Sequence, residues 1–150
     1  MLTLVHLVSQ HNIPIPILYD DVLTFYAESG TGATPTHIVS YGSVMGEELL
    51  WQSRDLAFDE KLRRFLPHEM LEAVQESQVR PKHSYSLFNV SESTAEFVRR
   101  GGLANLGAHG QNPVGLMYHH EASLFAAGGL TPYEVSAITT FCKLWITAGC

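Results

Sequence analysis

The stretch from Gly101 to Gln111, "GGLANLGAHGQ", decides how this sequence is read. Two glycines stop a helix. The apolar run Leu103-Ala104-Asn105-Leu106 then reads as a strand. It ends in a small, tight segment that carries His109 and is followed at once by Gly110. A strand that delivers an imidazole to its tip, with Gly107, Ala108 and Gly110 as neighbours, leaves room beside the ring for an ion and a substrate.

The flanks extend the pattern. "SESTAEFVRRGG" predicts the preceding helix, capped by Ser93 with Glu96 or by Asn89 with Glu92. Arg99 and Arg100 suit the negative end of its dipole. "HHEASLFAAGG" reads as a helix ending at a glycine pair. "TPYEVSAITTFCKLW" has the clearest start signal, with Thr131 as N-cap, Pro132 next and Glu134 at the third position. Val135, Ile138, Cys142 and Trp145 fall along one stripe of that helix.

Upstream, "LTLVHLVSQH" predicts a strand ending at His11. "YDDVLTFYAESG" predicts a helix with Asp20 as cap, Val22, Phe25 and Tyr26 on one face, and Gly30 as stop. "TPTHIVSYG" predicts a second strand across 34–42. The stretch 42–87 is too long for an ordinary strand-to-helix loop and reads as an insertion, a common origin of lids. Within it, "DEKLRRFLPHEMLEAVQES" is helical with a break or restart at Pro67. Strands alternating with helices imply an α/β fold with parallel strands joined by crossovers. Three such strands cannot close a barrel and make a poor open sheet, so the expected domain, 1–150, is part of something larger.

Composition bounds the function. The chain has 150 residues, of which 45% are hydrophobic, enough for one domain with a core. Its formal net charge is −6 with only nine lysines and arginines. The doublets Arg63-Arg64 and Arg99-Arg100 are isolated, so there is no basic stripe for nucleic acid and no attraction to an anionic membrane. Cys142 and Cys150 form no metal-binding pattern and read as free thiols of a reducing compartment. Without a spanning run or a basic signal region, a cytoplasmic location is the default expectation.

Eight histidines, at 6, 11, 37, 68, 83, 109, 119 and 120, are the unusual feature. In parallel α/β architectures chemistry collects at the carboxyl ends of strands. His11 ends the first strand and His109 the third, which suits a shared metal site. Each taken alone is more often a rim histidine bonded to backbone, and pattern alone leaves the two readings about even. His119 and Glu121 stay open as pocket groups, against a solvated first helical turn for which an acid is suited; His120 reads as solvated. His68 and His83 read as insertion surface, His37 as lying inside a strand, and His6 as structural. "HEMLE" lacks the second histidine of a zincin, with Glu72 in its place. "GTGATP" is neither a P-loop nor a Rossmann turn, and "YGSVMG" is not a nucleophile elbow.

Taken in order, "QHNIPIPILYDDV", "SGTGATPTHIVSYG", "DEKLRRFLPHEML", "GGLANLGAHGQ" and "HHEASLFAAGGLTPYEVSAIT" resemble the C-terminal part of metal-dependent amidohydrolases. The nearest branch is similar to imidazolonepropionase-related enzymes often fused to a TolB-type β-propeller. The likeness runs from about Gln10 to Thr139. It implies the last three or so β/α units of a (β/α)₈, or TIM, barrel whose rim holds one or two divalent metals, commonly zinc. It places His11 on the sixth-strand metal histidine and His109 on the eighth-strand position, as ligand or proton acceptor. His119 and Glu121 fall on an H-x-E of the following helix, and Tyr41 is a further candidate for the substrate pocket.

The sequence departs from the wider superfamily in three ways. His109 stands where most relatives carry an aspartate, and the propeller-fused branch shares this histidine-bearing G-x-H-G-Q. The H-x-H of the first strand is absent, and the likeness fades after Thr139. The expectation is therefore a hydrolase of non-peptide or cyclic amide C–N bonds, present as a C-terminal fragment. The alternative is a non-catalytic remnant, or a fragment that needs an upstream barrel segment or propeller as partner.

Overall fold

The computed structural model describes residues 8–11, 15–39, 46–53, 55–75, 80–108 and 116–147. Readings that rest on His6, Tyr41 and His109 lie outside them. Three short strands, β1 (Val8–Gln10), β2 (Gly32–Thr34) and β3 (Leu103–Ala104), form one parallel sheet in the order β1-β2-β3. Ala33 sits between Ser9 and Ala104 in register. Parallel neighbours require crossovers, made by α1 (Asp20–Glu28) after β1 and by a longer excursion ending in α4 (Leu87–Arg99) after β2. Helices α5 (Leu116–Ala127) and α6 (Pro132–Thr147) follow β3. The chain is thus α/β.

The period of two along a strand puts Ala33 and its partner Ala104 on the same face. Both belong to a core shared with Leu23 of α1, Phe97 of α4, Phe125 of α5 and Ile138 of α6. One face of the sheet therefore shares a core with these four helices. The opposite face carries Thr34 and Leu103, the latter 42% exposed.

Local expectations for three elements are corrected. The second strand ends at Thr34, and residues 35–39 turn away from the ladder. Pro35 has no N–H to continue the pairing. His37 consequently lies beyond the strand, not inside it. Helix α1 buries Leu23, with Tyr26 and Ala27 against the core, while Phe25 is 76% exposed. The i, i+3, i+4 stripe facing α4 is set by Leu23, and Tyr26 stacks at 5.0 Å on Phe97. Its first residue is Asp20, with Tyr19 in the cap position. Finally, α4 begins at Leu87, so Asn89 and Ser93 are interior rather than caps. Ser93 Oγ instead accepts from Leu18 N–H and donates to the Pro16 carbonyl, both at 3.1 Å, tying the loop after β1 to α4.

Other local signals act as expected. Gly30 and Gly101 take φ of +69° and +87° where their helices stop. At α6 the capping box is complete: Glu134 Oε2 accepts from Thr131 N–H and hydroxyl, both at 2.7 Å, and Thr131 Oγ1 accepts from Glu134 N–H. The Thr131 hydroxyl, then its backbone N–H, hold the Glu134 carboxyl below its ordinary range. Arg100 joins the end of α4 to the start of α1, donating to the Asp20 carboxylate and carbonyl and to Thr24 Oγ1.

The insertion contains α2 (Gly46–Ser53), a 3₁₀ turn at Leu62–Arg64, α3 (His68–Gln75) starting just after Pro67, and a second 3₁₀ turn at Lys82–Ser84. It has a core of its own. Trp51, Leu56, Ala57 and Leu71 pack on Ile38 and Val39 beyond β2 and on Met117 of α5. The insertion is thereby anchored at the carboxyl end of β2. Among the described residues no helix is long and apolar enough to cross a membrane.

Gly128 marks the tightest helix contact. A Cβ there would lie 2.2 Å from the Ser91 carbonyl oxygen on α4. Gly128→Ala should cost about 3 kcal/mol by forcing α4 and α5 apart. Gly30→Ala, which meets nothing within 4 Å, should cost only the left-handed backbone penalty of about 1–2 kcal/mol. Urea unfolding of both variants checks the ranking. Because the Glu134 carboxyl is lowered in the folded state, its contribution is present above the unfolded pKa and lost as pH falls through the folded value. Glu134→Gln should flatten that part of the acid-side fall in Tm, read from thermal melts across acidic pH.

Candidate functional site

His11 follows β1 directly. Its N–H donates to the Thr34 carbonyl at 3.1 Å, extending the ladder by one rung. Its φ is +75°, and among the described residues it is the one non-glycine in that region. The side chain is exposed at the carboxyl edge of the sheet. Beside it lies a small, mostly apolar cleft lined by Tyr26, Ala33, Pro35, Thr94 and Phe97. Among the described residues, the buried Tyr26 hydroxyl meets no hydrogen-bond partner.

The segment that leads to His109 lies on the same edge. Asn105 N–H donates to the Ala33 carbonyl at 2.6 Å. A Cβ on Gly107 would sit 2.8 Å from Thr36 Oγ1 and 2.9 Å from the Pro35 carbonyl oxygen. Gly107 thus lets this segment close on the turn after β2, in addition to any space it leaves for its neighbours. His109 and Tyr41 themselves lie outside the described residues.

The other candidates separate. His119 is exposed on α5, whereas Glu121 is completely buried. Residues two apart on a helix point to different sides, so these two do not form one group. Glu121 is not in a solvated first turn, because α5 begins at Leu116. Its carboxylate receives three donors: Oε2 accepts from His37 N–H at 3.0 Å and contacts His37 Nδ1 at 2.7 Å, and Oε1 accepts from Ile38 N–H at 3.0 Å. His37 is also completely buried. Its Nε2 is 3.2 Å from Thr94 Oγ1, and Phe125 packs edge-on at 4.7 Å.

This buried pair is the site feature that sequence reading missed. A signal existed on α5, where Met117, Glu121 and Phe125 recur at four-residue spacing. An acid on an otherwise apolar stripe must be partnered inside the protein. His37, in the apolar run "THIV", is the matching half. His68 pairs with Glu72 at 3.0 Å on the surface, and His83 is exposed, as expected for the insertion. Among the described residues, no three or more His, Cys, Asp or Glu side chains gather as a metal-binding cluster.

No family model, curated protein or solved structure matches this chain.

Glu121→Ala would strand His37 in the interior and remove the acceptor of two backbone N–H groups. It should destabilise the fold by about 3–5 kcal/mol. His119→Ala, on the same helix but exposed, should stay within about 0.5 kcal/mol. Chemical denaturation of the two variants side by side measures the contrast.

Proposed function

We propose that this chain contributes the last β/α units of a barrel enzyme, a metal-dependent hydrolase of C–N bonds in non-peptide or cyclic amides. One observation carries most weight. Among the described residues the parallel strands run in sequence order, and α1, α4, α5 and α6 share a core with one face of the sheet, an arrangement that a stretch of (β/α)₈ barrel would have. In such a barrel the opposite face, carrying Thr34 and Leu103, would look inward. His11 stands on the carboxyl rim, where catalytic groups of that architecture collect.

The donor chemistry is suitable. An exposed imidazole at a strand end is a normal zinc ligand, and His109 supplies a second nitrogen by resemblance. Two imidazoles fall short of the three protein ligands usual at catalytic zinc, so the remainder would come from an upstream segment. A bound divalent ion would polarise the amide carbonyl and make water nucleophilic at neutral pH. His11 would hold and orient that ion. His109, if not a ligand, would take the proton that water loses on attacking the carbonyl carbon, and return it to the nitrogen as the C–N bond breaks. The substrate partner is a small amide. The protein partners are the upstream barrel segment and, in the branch resembled, a β-propeller.

The second reading, a fragment without activity until it is completed, is favoured by the three-strand sheet and the exposure of Leu103. Metal analysis with size-exclusion chromatography separates the two. The chain together with an upstream H-x-H-bearing segment should bind zinc and hydrolyse an amide. His11→Ala or His109→Ala should lower turnover by about 10²–10⁴-fold while far-UV circular dichroism is unchanged. Full activity in either variant would remove the assignment. Amide hydrolysis by a monomer of this chain alone would remove the need for a partner.

A further inference from the structure

We propose that His37 carries a proton on both ring nitrogens and, as an ion pair with Glu121, is the positioning element of the rim. The link to catalysis rests on the hydrolase reading; the pair and its hold on the rim turn do not. Protons can be counted around the ring. Thr94 Oγ1 has one proton and donates it to the Val90 carbonyl at 2.8 Å. What it presents to His37 Nε2 at 3.2 Å is a lone pair, so Nε2 donates. On the other side, Glu121 Oε2 lies 2.7 Å from Nδ1, and the same oxygen accepts the His37 backbone N–H. Its partner Oε1 accepts from Ile38. Each Glu121 oxygen thus accepts a backbone N–H independently of the ring, and hydrogen bonds of that kind favour the ionised carboxylate, to which Nδ1 then donates as well. Both side chains are 0% exposed, and a charge at that depth persists only when it is paired and hydrogen-bonded.

The pair controls more than its own two residues. Glu121 holds the backbone of His37 and Ile38 in the turn after β2. The Ile38 carbonyl in turn accepts Gly46 N–H at 2.8 Å, which fixes the start of the insertion. At the other end of the turn, Thr36 and Pro35 close on Gly107, two residues before His109. Glu121 therefore sets the place of the insertion and of the segment that leads to His109. It does so from below the rim, as a positioning residue rather than a ligand.

The test uses the whole chain, with ¹⁵N spectra of the histidine rings and amide hydrogen exchange. In the wild type both His37 nitrogens should resonate in the protonated range at neutral pH. Thr94→Val should shift Nε2 to the unprotonated range, while Thr94→Ser keeps the wild-type signature. Glu121→Gln should speed amide exchange at 37–39 and 46–53 by about tenfold or more, the expectation when a local opening loses about 1.4 kcal/mol. An unprotonated ring nitrogen in the wild type, or an unchanged ring in Thr94→Val, would overturn the ion pair. If Glu121→Gln does not fold, the Thr94 pair of variants still decides that point, and wild-type exchange decides the hold on the turn: amides of His37 and Ile38 that exchange as fast as those of an exposed loop overturn it. Titration with zinc alone is read separately. Absence of binding in the upstream-completed protein counts against the hydrolase reading and leaves the ion pair standing.

Discussion

The Glu121 carboxylate is the constraint around which this chain is organised. It is 0% exposed, so its oxygens have to meet donors inside the protein. The donors come from residues more than 80 positions away in sequence, in the turn after β2. That requirement brings α5 to the carboxyl end of β2. It also places His37 between Phe125, part of the sheet-side core, and Thr94 on α4. Ile38, one residue on, belongs to the core of the insertion. The pair thus stands where the two cores meet, and a conformation without it would leave charged or polar groups buried and unmet.

What could be read in the sequence was what local chemistry decides. The order of strands and helices, the parallel α/β class and the start of α6 all rest on short-range signals. So do the glycine stops at Gly30 and Gly101 and the ending of β1 at His11. Each is a capping, turn or periodicity effect spanning a few residues. The misread features depend on distant partners. The run 34–42 has the composition of a strand, but Pro35 ends the pairing and the apolar residues after it pack with the insertion instead. Phe25 belongs to the predicted face of α1 yet is exposed, because Leu23 is what α4 covers. Ser93 resembles a cap, yet its hydroxyl serves the loop at Pro16 and Leu18. The His37–Glu121 pair needed the tertiary fold to become visible, although an acid on the stripe between Met117 and Phe125 carried a hint of it.

Absent side chains matter as much as present ones in this packing. At Gly128 the α4 backbone approaches to a distance that any Cβ would block, and at Gly107 the post-β3 segment does the same against Pro35 and Thr36. Gly46 repeats the arrangement at the start of α2, where a Cβ would meet the Ile38 backbone at 2.8–2.9 Å. Two of these three contacts, at Gly107 and Gly46, lie on the turn that Glu121 holds. The turn is therefore fixed by polar bonds from one side and by close backbone contacts from the others, a combination that leaves it little freedom.

That rigidity bears on His11. A non-glycine residue at φ +75° sits in a region that costs roughly 1–2 kcal/mol, and such residues persist when their surroundings over-determine them. The determining contact here is the rung from His11 N–H to the Thr34 carbonyl, and Thr34 immediately precedes the turn held by Glu121. The backbone that orients His11 is thus buttressed by the same element that seats the approach to His109. Two rim segments nearly a hundred residues apart in the chain depend on one buried carboxylate for their footing. For a site that assembles ligands from separate strands, such shared support is a physical prerequisite, since donor placement has to hold to about 0.5 Å. The rung at His11 and the close approach at Gly107 thus share one anchor, the turn after β2.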